Sequence, residues 1–316
     1  MTDVTADYLA LRRDVAAVRV PRDVIRAFGA DATTFLQGQI SQDVVGLAPG
    51  ESRWALILEP QGKVDAWVRV WGRRGDDEVL LDVDGGAGQA VLDRLNRFRL
   101  RVKVELELLD WECVALRGAG CPPVDDPSLV AELKGAVDWA GVPGVDLLGP
   151  EVHLPPGVPQ AGLDAYESLR IEAGWPSMGR ELGAEVSPLV IPAEAGQWLI
   201  DQSVSFTKGC YTGQELVARV DSRGGNTPRH LRGIVIGTNV LPPVGAEVVV
   251  DGEVRGTLSS VGESLDLRAP IALAYVHRSV EPGAEAVVRW PAQGSAPAGE
   301  VPAQVRALPL VVPAAT

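Results

Sequence analysis

The chain has 316 residues, a formal net charge of −13, three cysteines and three histidines. That length exceeds one ordinary core and implies two or three domains. The acidity disfavours general binding to phosphate backbones, and three scattered thiols exclude a disulfide framework and fit a reducing compartment.

No apolar run reaches transmembrane length. Residues 1–14 lack the basic and apolar regions of a secretory leader. The expectation is a cytoplasmic protein with no membrane partner. Cys113, Cys121, Cys210 and His153, His230, His277 show no metal-ligand spacing. One thiol motif cannot by itself hold an iron–sulfur cluster, which normally wants four thiolates. No resident metal is expected.

In chain order, residues 18–28 predict a strand region. Asp31 offers an N-cap for a helix carrying Phe35, Leu36 and Ile40 on one side. Gln37, Gly38 and Gln39 sit in or beside that helix, where glycine serves close packing or ligand approach equally well. Residues 54–58 and 64–71 predict a hairpin turning through Pro60, Gln61, Gly62 and Lys63. Its second strand alternates Val64, Ala66, Val68 and Val70 against Asp65, Trp67, Arg69 and Trp71. A face with two tryptophans lines a cleft or packs on a neighbouring domain, and packing is the more ordinary role.

Residues 79–83 predict a third strand. Val91, Leu92, Leu95 and Phe98 mark an amphipathic helix, and residues 103–109 alternate as a half-buried strand. This order suggests an α+β module with helices on one face of an antiparallel sheet. The cluster of Arg94, Arg97, Arg99, Arg101 and Lys103 reads as a solvated face with favourable charges at a helix C-terminus. The turn Gly85-Gly86-Ala87-Gly88 lacks dinucleotide-binding spacing and context and reads as a loop.

After a strand at 113–116, residues 118–127 read as a loop that exposes Cys121. Residues 142–162 are punctuated by proline and glycine, with short strands at 145–148 and 151–154. Asp164 with Glu167 predicts a capping box opening a helix that Gly174 stops. Glu172 falls in the last turn, where the dipole disfavours a carboxylate. It therefore wants another partner, either a salt bridge to Arg170, Arg180 or a neighbouring domain, or a ligand.

Residues 197–204 lead into Lys208-Gly209-Cys210-Tyr211-Thr212-Gly213-Gln214-Glu215, and residues 215–220 predict a short helix. Residues 223–229 have linker composition. Beyond them, strands at 231–236, 247–250, 253–258, 271–276, 286–290 and 301–308 predict a small barrel, with a type I′ turn at Asp251-Gly252 and a flexible loop at 293–299.

The octapeptide at 208–215 sets one cysteine between two glycines. A thiol acts through its thiolate, which a nearby cation favours, and Lys208 could supply that charge. Amides around Gly209 could form an anion-binding concavity. The ordinary alternative is a cysteine acting as a small hydrophobe in a glycine-rich turn.

This octapeptide resembles the signature of the YgfZ family of folate-binding proteins, relatives of the glycine cleavage T-protein and of mitochondrial iron–sulfur assembly factors. Phe35-Leu36-Gln37-Gly38-Gln39-Ile40-Ser41-Gln42-Asp43 and Leu169-Arg170-Ile171-Glu172-Ala173-Gly174-Trp175-Pro176 resemble two further family segments, in the family order. The resemblance implies an α+β, three-domain ring. Residues 1–50 with 110–228 would form a folate-binding domain, 51–109 a ferredoxin-like domain and 229–316 a C-terminal β-barrel. Tetrahydrofolate, or a one-carbon derivative, would sit at the central opening. Glu172 would grip the pterin in bidentate fashion, with Arg170, Gln37 and Trp67 as further contacts. Cys210 would be the reactive group, in a loop made by Lys208, Gly209, Tyr211, Gly213, Gln214 and Glu215.

The implied function is support of iron–sulfur enzymes, tRNA-modifying ones included, with folate and iron–sulfur proteins or assembly factors as partners. One alternative is an aminomethyltransferase of T-protein type. Its functional aspartate lies in the stretch that here reads 82–88, where Asp82 and Asp84 both stand, and its version of the octapeptide lacks the cysteine. The other alternative is a non-catalytic binding module that affects tRNA modification.

Overall fold

The computed structural model describes residues 4–72, 77–186, 189–222, 227–292, 294 and 297–311. Along the chain run α1 (Val4–Arg13), β1 (Ala16–Arg19), β2 (Arg22–Phe28), α2 (Ala32–Gln39), β3 (Ser52–Leu58), β4 (Val64–Gly72), β5 (Glu78–Asp84), α3 (Gly88–Phe98) and β6 (Glu105–Leu109). Then come β7 (Glu112–Arg117), β8 (Leu133–Trp139), β9 (Val142–Gly149), α4 (Leu163–Ala173), α5 (Pro192–Ala195), α6 (Gln197–Ser203) and α7 (Gln214–Ser222). Strands β10 (Arg229–Ile236), β11 (Glu247–Val250), β12 (Glu253–Ser264), β13 (Ala269–His277), β14 (Glu285–Trp290) and β15 (Gly299–Arg306) follow. Part of the stretch expected as a linker, 223–226, and residues 293, 295 and 296 of the expected loop lie outside the described residues.

Three sheets result: β1-β7-β9-β8, β3-β4-β5-β2-β6, and a closed barrel β10-β13-β12-β11-β14-β15. The barrel follows the predicted strands closely. Asp251 and Gly252 take φ of 52° and 79°, as a type I′ turn demands. Closure leaves the barrel no free strand edge.

The single strand region expected over 18–28 is two strands in different sheets. β1 pairs with β7 in the first sheet, whereas β2 lies between β5 and β6 in the second. Pro21 separates them and has no N–H to give to a ladder. This moves the domain boundary expected after residue 50. Ile25, Ala27, Phe35 and Leu36 share a core with Ala55, Val68, Leu81 and Leu95, so β2 and α2 pack with the middle module. Strand β8 and the full length of β9 add to the first sheet, and the strand expected at 151–154 reduces to one bridge between Val130 and His153.

Two helix starts also differ. Asp31 takes the N-cap position of α2 as predicted, but without a side-chain cap bond; its carboxylate accepts the Lys103 N–H at 2.7 Å. Helix α4 begins one residue before Asp164, with Gly162 as N-cap and no capping box. Glu167 instead binds Arg170 and Arg180. Gly174 ends α4 in the left-handed region at φ 71°, as the sequence predicts.

From Ala66 onward the two faces of β4 divide as the alternation predicts, whereas Val64, beside a register shift, packs in the cluster of Trp67. Ala66, Val68 and Val70 pack under α2 and α3. On the other face, Trp71 packs with Cys113, Leu133 and Leu148 of the first sheet. Buried charges join the same two sheets. Asp82 accepts bonds from Arg22, from Arg69 Nε at 3.2 Å and from Trp71 Nε1 at 2.5 Å. Asp146 on β9 binds Arg69 at 3.0 Å and Arg117 at 2.8 Å. Burial pushes the Asp146 carboxyl up, but Arg117, Arg69 and Arg22 together hold it below the ordinary aspartate value.

A depressed carboxyl contributes stability above its unfolded value and loses it as pH falls through the folded value. Asp146→Asn is expected to cost about 3 kcal/mol at neutral pH by stranding two buried arginines. Urea titrations over a pH series should show that deficit shrinking below the ordinary aspartate range. A deficit independent of pH would mean that the charge of Asp146 does not join the sheets.

Candidate functional site

The cysteine loop hangs from α2. Lys208 Nζ donates to the carbonyls of Gln37, Ile40 and Gln42 at 2.6, 2.7 and 3.0 Å. These oxygens mark the helix C-terminus, where a cation is favoured. Burial pulls the Lys208 ammonium down to about 8, with Asp43 acting the other way. Thr212 N–H and Ser205 N–H add bonds to the carbonyls of Gly38 and Ser41 at 3.3 and 3.0 Å. Two segments singled out in the sequence, 35–43 and 208–215, thus form one unit. The charge expected to serve Cys210 is spent on helix carbonyls.

The glycines have distinct duties. A Cβ on Gly213 would lie 2.5 Å from the Glu59 carbonyl oxygen and 2.8 Å from Leu58 Cβ, so the loop closes on the β3–β4 turn only with glycine there. A Cβ on Gly209 would meet nothing within 4 Å. Gln214 accepts the Tyr211 N–H at 3.2 Å and closes the turn into α7. The Tyr211 ring lies over Lys208, 5.2 Å from Nζ. Cys210 is exposed, as are Gly209, Glu215 and the nearby Phe206. The loop therefore presents a thiol outward from a tightly pinned base.

A cleft of about 390 Å³ opens between the first two sheets, α4 and the segment after it. Trp54, Trp139, Trp175 and Tyr166 wall it, with Arg170, Glu167, Asp164 and Asp84 among its polar residues. Trp54 and Trp175 stand 5.6 Å apart, and Trp139 lies 4.8 Å from Tyr166 and 6.0 Å from Trp175. A second groove of about 850 Å³ runs between α3 and the β3–β4 turn and shares Gly85, Met178 and Arg180 with the cleft. Two buried N–H groups of the cleft wall, Trp139 Nε1 and Arg117 Nε, have no acceptor. Aromatic walls with a few convergent polar groups describe a small-molecule site.

Of the four expected folate contacts, only Arg170 lines this cleft. Glu172 is 1% exposed. Its carboxylate takes Tyr8 Oη at 2.7 Å, Arg12 at 3.1 Å and the Ser264 hydroxyl. This corrects the expected pterin grip: Glu172 pins α1 and the barrel strand β12 to α4, the neighbouring-domain role weighed from the sequence. Trp67 is buried behind the cleft wall. It stacks on Trp54 at 4.3 Å and donates Nε1 to Ser203 Oγ at 2.9 Å. The Gln37 side chain closes its own turn, binding Asp43 and the Val44 N–H at 3.0 Å each. The sequence reading missed Trp54, Trp139, Tyr166 and Glu167 as site residues. The adjacency of Tyr166 and Glu167 on α4 was the one local signal.

Among the described residues, no helix is long and apolar enough to cross a membrane, and no group of three His, Cys, Asp or Glu side chains could hold a metal ion.

Two antiparallel sheets with an aromatic cleft between them, joined to a closed barrel, define an aminomethyltransferase type of fold. The crystal structure of glycine cleavage system aminomethyltransferase T from Bartonella henselae matches with a TM-score of 0.74 at 19% identity, covering 98% of this chain and 89% of that one. Residues 229–311 match the glycine cleavage T-protein C-terminal barrel domain. An aminomethyltransferase of Rubrobacter xylanophilus is 30% identical over 294 residues, 83% of this chain and 75% of the relative. An uncharacterized protein of Haemophilus influenzae is 32% identical over 203 residues, 64% of this chain and 67% of the relative. A mitochondrial iron–sulfur cluster assembly factor IBA57 homolog of Aspergillus fumigatus is 26% identical, over 92% of this chain and 79% of the relative. The chain belongs to the aminomethyltransferase, or glycine cleavage T-protein, family.

Two outcomes follow from this geometry. Lys208→Met leaves three carbonyls without their donor. Amide hydrogen exchange across 205–213 should quicken while exchange in the barrel stays unchanged. Burial pushes the Glu172 carboxyl above its ordinary value against the pull of Ser264, Tyr8 and Arg12. A raised carboxyl contributes stability below the unfolded value and loses it as pH rises through the folded one. Glu172→Gln should therefore flatten the fall of stability above the ordinary glutamate range, which thermal melts over a pH series would read.

Proposed function

We propose that this protein is a cytoplasmic, YgfZ-type tetrahydrofolate-binding protein that supports assembly, repair or maintenance of iron–sulfur enzymes, tRNA-modifying ones included, with Cys210 as its reactive group. The observation that carries the reading is the aromatic cleft with carboxylates on its α4 wall. Trp54, Trp139 and Trp175 would stack the pterin and benzoyl rings, and Glu167 and Asp164 would accept ring N–H groups. The adjoining groove beyond Met178 leaves room for an extended tail. Tetrahydrofolate, or a one-carbon derivative, would supply a carrier for a one-carbon unit. Likeness to an iron–sulfur cluster assembly factor supports the kind of client. An exposed thiol suits contact with a partner's sulfur or cluster.

The likeness to aminomethyltransferases favours a second reading, transfer of a methylene group to folate. Asp84, at the cleft, binds Arg22 and accepts the Met178 N–H at 2.9 Å, whereas Asp82 is enclosed by Arg22, Arg69 and Trp71. Asp84 is thus the aspartate of that stretch which could serve such chemistry. A glycine-cleavage assay with a lipoylated carrier separates the two readings.

Calorimetric titration with tetrahydrofolate tests the ligand. Trp54→Ala should weaken binding tenfold or more, since stacking of a heteroaromatic ring on tryptophan is worth about 1–3 kcal/mol. Cys210→Ala should bind like the wild type yet fail to restore iron–sulfur enzyme activity in cells lacking the protein. A folded wild type that binds no folate would remove the ligand from this reading.

A further inference from the structure

We propose that the basic and apolar segment 97–103, at the end of α3, is the docking surface for an acidic protein partner. The inference does not depend on the folate reading.

Arg97, Arg99, Arg101 and Lys103 fall in one run without a carboxylate, in a chain of net charge −13. Arg99 donates to the Val104 carbonyl at 2.9 Å and to Glu105 at 2.6 Å. Arg97, Arg101 and Lys103 are exposed and form no ion pair among the described residues. Of the flanking carboxylates, Glu105 is taken by Arg99, Glu107 by Arg26 and Asp93 by Gln89. Between the cations stand Phe98 and Leu100, 37% and 76% exposed. No other large hydrophobic side chain among the described residues is as exposed as Leu100.

A single exposed leucine is ordinary, but this one is held in place. The Asp31 N–H donates to the Lys103 carbonyl at 3.1 Å, and the Asp31 carboxylate accepts the Lys103 N–H at 2.7 Å. A Cβ on Gly29 would lie 2.5 Å from the same carbonyl oxygen, so the foot of the loop fits only against glycine. The Leu100 N–H reaches the Phe98 carbonyl at 2.9 Å. Arg101 takes φ of 58°, a left-handed conformation that glycine or asparagine adopts at less cost. Val102 returns to the core of the middle module, while Leu100 and Arg101 stay outside it.

Apolar side chains set among arginines have the composition of a protein interface. The unpaired cations fix the sign of the partner: they fit carboxylates placed around a recess for Leu100. A bilayer or an RNA backbone spreads its negative charge widely, and the rest of this acidic chain repels it. A protein partner can confine its carboxylates to the contact. Arg97 and Phe98 also line the groove of about 850 Å³ that shares Gly85, Met178 and Arg180 with the aromatic cleft. A partner seated on 97–103 therefore stands at the edge of that groove.

The probe is a fluorescein-labelled peptide that repeats Glu-Leu-Glu-Phe three times, with a Lys-Leu-Lys-Phe repeat as control, followed by anisotropy on the full chain. The wild type should prefer the acidic peptide. Unspecific attraction to an acidic chain favours the basic one, so the preference is diagnostic. Arg101→Glu combined with Lys103→Glu, and separately Leu100→Asp, should each weaken the acidic peptide at least about tenfold, the loss expected at an interface hot spot. If a variant does not fold, amide exchange on the wild type replaces it, and the acidic peptide should slow exchange over 98–104 but not in the barrel. Absence of a preference for the acidic peptide, undiminished binding by the folded variants, or protection confined to other segments overturns the inference. So does binding of phosphatidylglycerol vesicles or of tRNA more tightly than the peptide, if Arg101→Glu with Lys103→Glu abolishes it. A wild type that binds the acidic peptide through this segment but binds no tetrahydrofolate keeps the inference and loses the folate reading.

Discussion

The molecule depends on Asp146 and the two arginines that converge on it. Arg69 arrives from the second sheet and Arg117 from the first, and the carboxylate on β9 bonds both. A buried charge pair gains little over apolar packing, but it is unforgiving of misplacement, because each group left alone is costly. The contact therefore acts as a register pin between sheets more than as glue. It also shapes the site. Arg117 lies against Trp139 and Tyr166, so the orientation of the sheets and the floor of the cleft are set by the same atoms.

Much of the architecture was legible along the chain. The barrel strands, α3, the β3–β4 hairpin and the stop of α4 at Gly174 all follow from periodicity and turn chemistry. What escaped had weak local signals. Strand β8 is joined to β9 by Ala140 and Gly141, both at positive φ, and alanine is no usual marker of such a turn. The passage from β1 to β2 looks continuous because both flanks are apolar, and only partners distant in sequence assign them to different sheets. Asp31 is the N-cap residue of α2 but gives its carboxylate to the distant Lys103 N–H, whereas at α4 the chain geometry gives the cap to Gly162 in place of Asp164.

The site divides in an instructive way. The segments with the most distinctive residues prove to be mainly scaffold. Lys208 holds carbonyls, Gly213 admits a turn, Gln214 starts a helix and Glu172 ties three elements together. The cleft is walled by residues from β3, β7, β8 and α4, which no spacing along the chain connects. A motif is a local object, and a cleft between sheets is not. Within the octapeptide Cys210 differs from its neighbours, because it holds nothing in place and faces outward.

The tryptophans carry one more consequence. Trp139, Trp175, Trp54, Trp67 and Trp198 form an unbroken series of rings with neighbouring centroids 4.3 to 6.0 Å apart, from the cleft floor to the partly exposed α6. Rings this close exchange excitation energy faster than they emit. The ultraviolet fluorescence of these five, out of the chain's eight tryptophans, is then the property of the series, not of single residues. Light absorbed at any member reaches the cleft, and an absorbing guest lodged there would darken the whole set at once.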